Sequence, residues 1–75
     1  MSQYLIVIEK SEDSDWGAYV PDLPGCVAVG KTREEAASLI REAIELHLSG
    51  MREDGESIPS PAAAYDLYAP QGQGA

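Results

Sequence analysis

The sequence predicts an α+β domain of order β-β-β-α-β, a four-stranded mixed sheet with one helix on one face. Three observations carry this reading. Short β-branched and aromatic runs recur at residues 4–10, 16–20 and 26–30, the signature of strands. A helix-opening motif, Thr32-Arg33-Glu34-Glu35, then heads a series of apolar residues at steps of three and four. After it, Ile58-Pro59-Ser60-Pro61 excludes helix, and a weak alternating run follows.

The first run, Tyr4–Lys10, splits into Tyr4, Ile6 and Ile8 on one face and Leu5, Val7 and Glu9 on the other. Both faces are largely apolar, which predicts a strand covered on both sides. Ser11–Asp15 is a polar loop, and its five residues suit an antiparallel hairpin into Trp16–Val20. There Trp16, Ala18 and Val20 alternate against Gly17 and Tyr19. Pro21–Gly25 places two prolines and a glycine in five residues, a rigid turn in which Asp22 is expected to bond to its own backbone two residues on. Cys26–Gly30 is the third strand, with Val27 and Val29 opposite the small Cys26 and Ala28.

The helix is predicted over roughly 33–53. The Thr32 hydroxyl caps the Glu35 amide, and the Glu35 carboxylate is expected to reach back to the Thr32 amide. Ala36, Leu39, Ile40, Ala43, Ile44, Leu48 and Met51 form one stripe, and Gly55 is the stop. Gly50 disfavours the last turn by about 1 kcal/mol relative to alanine. Ala64–Ala69 alternates Tyr65, Leu67 and Ala69 against Asp66 and Tyr68, a fourth strand returning beside an earlier one. Residues 1–69 thus make a single domain, and residues 70–75 (PQGQGA) a flexible C-terminal tail.

Composition narrows the function. The 75 residues carry 13 Asp+Glu against 5 Lys+Arg, a net charge of −8, with 44% hydrophobic residues. That is enough apolar material for a core, but a domain this small is marginally stable alone. One cysteine, Cys26, allows no intrachain disulfide, which fits a reducing compartment such as the cytoplasm. Cys26 and His47 are too few for a closed zinc site. Self-association, most simply a homodimer, is the remaining remedy. Five scattered basic residues make no phosphate-binding patch, so no direct nucleic-acid partner is expected. An acidic surface instead favours a basic protein. No apolar run is long enough to cross a membrane.

Candidate chemistry is sparse. His47 has no carboxylate or nucleophile set beside it by any motif and reads as a surface or half-buried structural histidine. Cys26 reads as a packing residue, because nothing nearby would stabilise a thiolate. Glu9, Glu12, Asp13 and Asp15 crowd one hairpin but match no calcium loop, and read as solvated. No phosphate loop, nucleophile elbow or zinc-protease motif is present, so no catalytic, metal or cofactor residues are assigned and no enzyme is expected.

The segments Tyr4–Glu9, Tyr19-Val20-Pro21-Asp22-Leu23-Pro24-Gly25-Cys26, Thr32–Ala36 and Ile40–Glu45 together resemble the HicB antitoxin family over roughly residues 4–59. The resemblance implies a partial ribonuclease-H-like fold without nuclease activity and a strand order 3-2-1-4, with Tyr4–Lys10 in the interior. It also implies a partner: a small, basic, messenger-RNA-cleaving HicA-like toxin whose active site the antitoxin masks. Full-length members commonly add a C-terminal DNA-binding domain. Here AAAYDLYAPQGQGA carries neither a long helix nor a basic patch, so a short form without direct DNA binding is expected. The alternative is a solitary oligomeric regulatory or scaffold protein of the same fold with no toxin partner. A nuclease using the hairpin carboxylates is a third reading. For the partner-binding surface the candidates are Trp16, Tyr19, Asp22 and Leu23, on and beside the rigid proline turn, where aromatic and apolar groups are preorganised. Plain core is the competing reading for the same residues.

Overall fold

The computed structural model describes residues 3–70. Three strands, β1 (Val7–Lys10), β2 (Trp16–Tyr19) and β3 (Val27–Gly30), are followed by one helix, α1 (Arg33–Glu53). The sheet is antiparallel in the order β1-β2-β3. Its register sets Val7 against Tyr19 and Tyr19 against Val27, and sets Ile8, Ala18 and Ala28 in the neighbouring row.

Period-two alternation decides what lies inside. Ala18, Val20 and Cys26 are buried beneath α1 with Leu23, while Val27 and Val29 point to the opposite face. From the helix come Ala36, Ile40 and Leu48, with Ala43, Ile44 and Met51 packed at the margin of the same cluster. Tyr4, Ile6, Ile8 and Trp16 pack against it as half-buried residues.

The helix ends are well capped. Thr32 is extended (φ −131°, ψ 164°), and its Oγ1 accepts from the Glu35 amide at 3.0 Å. The Glu35 carboxylate reaches back one residue further than expected, accepting from the Lys31 amide at 2.5 Å. At the other end Gly55 takes φ +73°. Its amide donates to the Arg52 carbonyl at 3.2 Å, and the Glu56 amide donates to the Met51 carbonyl at 2.9 Å. These two bonds are a Schellman closure, so α1 runs through Gly50 to Glu53 without an early end.

Close packing of α1 on the sheet depends on Gly30. A Cβ there would lie 2.6 Å from the Ala36 amide nitrogen and 3.1 Å from both the Ala36 Cα and the Glu35 carbonyl carbon. The end of β3 therefore touches the helix backbone itself.

Two expectations need correction. The first strand is shorter than Tyr4–Lys10 and lies at an edge of the sheet, with β2 central. Continuing the β1–β2 register would set Leu5 opposite Pro21, which has no amide to donate, so the ladder stops at Val7. Nor does the four-stranded mixed sheet form: among the described residues Ala64–Ala69 belongs to no ladder. Pro59, Pro61 and Pro70 bracket the segment, and its side chains find no neighbours to bury them. The predicted tail, residues 70–75, lies outside the described residues except for Pro70, which is exposed.

Candidate functional site

The turn between β2 and β3 organises the surfaces around it. The Leu23 amide donates to the Val20 carbonyl at 3.0 Å, and the Cys26 amide to the Leu23 carbonyl at 3.1 Å. Gly25 adopts φ +86°, a conformation that side chains rarely tolerate. These constraints drive Leu23 inward, where it is 1% exposed and one of the two largest fully buried side chains. Leu23 is core, and it holds the turn.

Asp22 points the other way. Its Oδ2 accepts from the Ala62 amide at 3.2 Å and the Ala63 amide at 3.1 Å. The carboxylate is not used for a local turn, as the sequence suggested. It pins a segment forty residues further along the chain. A second tie is close by, since the Tyr4 hydroxyl donates to the Pro59 carbonyl. Residues 59–63 are thus fastened across the start of the first strand, and Ala63–Tyr65 line a shallow cleft with Gln3, Tyr4 and Leu5.

Of the four sequence candidates, only Tyr19 stands on an open surface. It is 41% exposed and lies on the sheet face away from α1, beside Val27 and Val29, each 64% exposed. The register places Val7 on its other side, and Gly17 leaves open space above the sheet. The result is an apolar face with no side chain over its centre. Trp16 is half-buried against the core at the far end of the same strand, on the helix side. The structure therefore separates the four: Leu23 and Trp16 support the framework, Asp22 secures the C-terminal segment, and Tyr19 faces outward.

A second surface was not visible in the sequence. Pro24, on the outside of the turn, forms a groove with Leu46, His47, Gly50 and Met51, and Asp54 and Glu56 stand at its rim. Leu46 is strongly exposed there, off the predicted stripe. No local signal would have joined Pro24 to a helix residue more than twenty positions away.

Two titratable groups among the described residues are shifted from their ordinary values. Burial pushes the Cys26 thiol upward, which disfavours the thiolate. In the hairpin loop the Ser11 hydroxyl donates to Asp13 and holds its carboxyl below the usual range. Among the described residues no three His, Cys, Asp or Glu side chains converge as metal ligands. No helix among them is long and apolar enough to cross a membrane.

A helix lies on one face of a small antiparallel sheet whose opposite face is apolar and open, an α+β class of fold. Comparison with known proteins gives the class a family. The model of the HicB-like antitoxin of bacterial toxin–antitoxin systems matches residues 4–72, and the chain belongs to that family. It is 40% identical over 57 residues to a UPF0150 protein of Thermoplasma acidophilum, covering 76% of this chain and 83% of the relative. It is 30% identical over 66 residues to antitoxin HicB 1 of Photorhabdus laumondii, covering 88% of this chain but 43% of that protein. Among solved structures, the N-terminal domain of the Burkholderia pseudomallei antitoxin HicB superposes with a TM-score of 0.72 at 33% identity, covering 81% of this chain and 72% of that one. The chain thus spans most of the UPF0150 relative and less than half of the Photorhabdus antitoxin.

Proposed function

We propose that this protein neutralises a small basic HicA-type toxin by binding it and masking the site at which the toxin cleaves messenger RNA. The observation that carries this reading is the match of 81% of the chain to the N-terminal domain of an antitoxin HicB. The charge supports it: a surface with net charge −8 attracts a basic partner and speeds encounter.

The open sheet face is the surface on which this reading places the toxin, with Tyr19 as its central anchor between Val27 and Val29. An aromatic group at the middle of an apolar patch is the usual form of a binding hot spot. Action in the cytoplasm and kinship with the ribonuclease-H-like fold belong to the same proposal.

Co-expression tests it. The toxin encoded beside this gene should arrest growth alone, and growth should recover when this protein is produced with it. Tyr19→Ala should weaken toxin binding by about 2 kcal/mol, the scale of a hot spot, and destabilise the free protein by less, about 1 kcal/mol or under, through its lost cross-strand contacts with Val7 and Val27. Growth arrest that persists despite abundant soluble protein would overturn the assignment.

A further inference from the structure

Residues 65–68 pose a physical problem. Tyr65 is 76% exposed, and Leu67 and Tyr68 are each 86% exposed. Three large side chains in four residues are thus left in water, although the segment just before them is firmly held. Asp22 and Tyr4 fasten residues 59–63, so the arm starts from a fixed point beside Gln3–Leu5. Beyond that point it makes no ladder with its own β1. The chain is correspondingly extended, with a radius of gyration of 14.9 Å, where a compact domain of this length would have about 11 Å.

A matching vacancy exists on the same molecule. β1 is an edge strand, and its outer amides and carbonyls have no partner in the sheet. On the helix side of that edge Ile6 and Ile8 are only half-buried, whereas Ala18, Val20 and Cys26 of the inner positions are covered. The other edge, β3, has less need on that side, since Cys26 and Gly30 are buried there and only the small Ala28 is half-buried.

We propose that the arm, residues 64–69, adds as a strand to the β1 edge of a second copy of this chain, and that the two copies exchange arms reciprocally. Alternation gives the arm two faces suited to that place. Tyr65 and Leu67 would cover Ile6 and Ile8 beneath the sheet, and Tyr68 would extend the open apolar face above it.

Charge selects the same segment. Twelve of the 13 acidic residues lie at or before Glu56, and only Asp66 follows. Two copies that repel elsewhere can approach through this nearly neutral stretch. The area is sufficient as well. Tyr65 brings about 150–250 Å², so with Leu67 and its backbone an arm offers on the order of 300 Å². Two arms and the surfaces receiving them then total about 1,200 Å², the lower end of the range for a stable specific interface. The proposal is independent of the toxin reading, because it needs no partner but this chain.

The test is sedimentation equilibrium of the full chain at tens of micromolar, paired with filtered NOE spectroscopy on a mixture of isotope-labelled and unlabelled protein. The expected mass is twice 8.0 kDa, with NOEs between the Leu67 methyls of one copy and the Ile8 methyls of the other. The double variant Leu67→Asp, Tyr68→Asp should sediment as a monomer with an unchanged circular dichroism spectrum, since both side chains are exposed in the single chain. A wild-type monomer throughout that range would overturn the proposal. A dimer that survives the double substitution, or Leu67–Ile8 NOEs confined to one copy, would overturn it equally.

Discussion

Gly30→Ala is the sharpest perturbation the structure offers. The substitution adds one methyl group, and that methyl would lie 2.6 Å from the Ala36 nitrogen, with the Ala36 Cα and Glu35 carbonyl carbon at 3.1 Å. All three are backbone atoms of the first turn of α1, so no side chain can rotate away. Relief to ordinary contact requires the helix N-terminus to move back by several tenths of an ångström. Ala36 and Ile40 are fully buried on that part of the helix and must lift from the sheet with it. Overpacking of this kind costs about 1–3 kcal/mol, against which a stiffer unfolded chain returns about 0.4–1 kcal/mol. The mid-range values leave a net loss of about 1.3 kcal/mol. A domain of this size has roughly 4–11 kcal/mol in total, so the variant should still fold. With a urea slope near 1 kcal/mol/M, the midpoint should fall by about 1 M. Gly50→Ala is the internal control: it sits in the same helix with nothing within 4 Å of its Cβ, and should gain up to about 1 kcal/mol. If both variants shift the midpoint in the same direction, or Gly30→Ala leaves it unmoved, the reasoning about close helix–sheet approach is wrong.

Other outcomes follow from the same geometry. Leu23→Ala should destabilise the free protein by about 2–5 kcal/mol in chemical denaturation, as for any fully buried leucine; a near-zero change would return Leu23 to the list of surface anchors. Asp22→Ala removes the acceptor for the Ala62 and Ala63 amides, and both should lose hydrogen-exchange protection while α1 amides keep theirs. Burial of Cys26 predicts a thiol that reacts with Ellman's reagent many-fold more slowly in the folded protein than in urea. The sign of its linkage is set as well: the folded thiol ionises later than the unfolded one, so stability should decline as pH rises above about 8.5, and Cys26→Ala should abolish that decline.

Local chemistry was the legible part of this sequence. The Thr32 cap, the Gly55 stop and the stripe from Ala36 to Met51 each depend on residues within a few positions, and α1 spans Arg33–Glu53 as their spacing requires. The alternation at Trp16–Val20 and Cys26–Gly30 likewise assigned the two sheet faces, because side-chain direction in a strand follows parity. Long-range pairings were not legible. Nothing around Asp22 indicates that its acceptors would be used by Ala62 and Ala63, and nothing around Pro24 indicates Leu46. Strand length depended on the neighbour too: Tyr4–Ile6 has the composition of a strand but faces Pro21 across the ladder. The segment Ala64–Ala69 shows the same limit from the other side, since its alternation describes a strand but cannot name the edge it joins. Within the candidate site, aromatic and apolar character singled out Trp16, Tyr19 and Leu23 together, and only tertiary packing separates the exposed Tyr19 from the buried Leu23.

Under the proposed function this protein silences a toxin by covering its catalytic surface. Titrating the purified protein into the toxin's RNA-cleavage reaction tests it most directly, with cleavage rate read against molar ratio. The account predicts a linear fall to background at a fixed stoichiometric ratio, with Tyr19→Ala shifting the curve to excess antitoxin. Cleavage that continues undiminished in tenfold excess of this protein would contradict it.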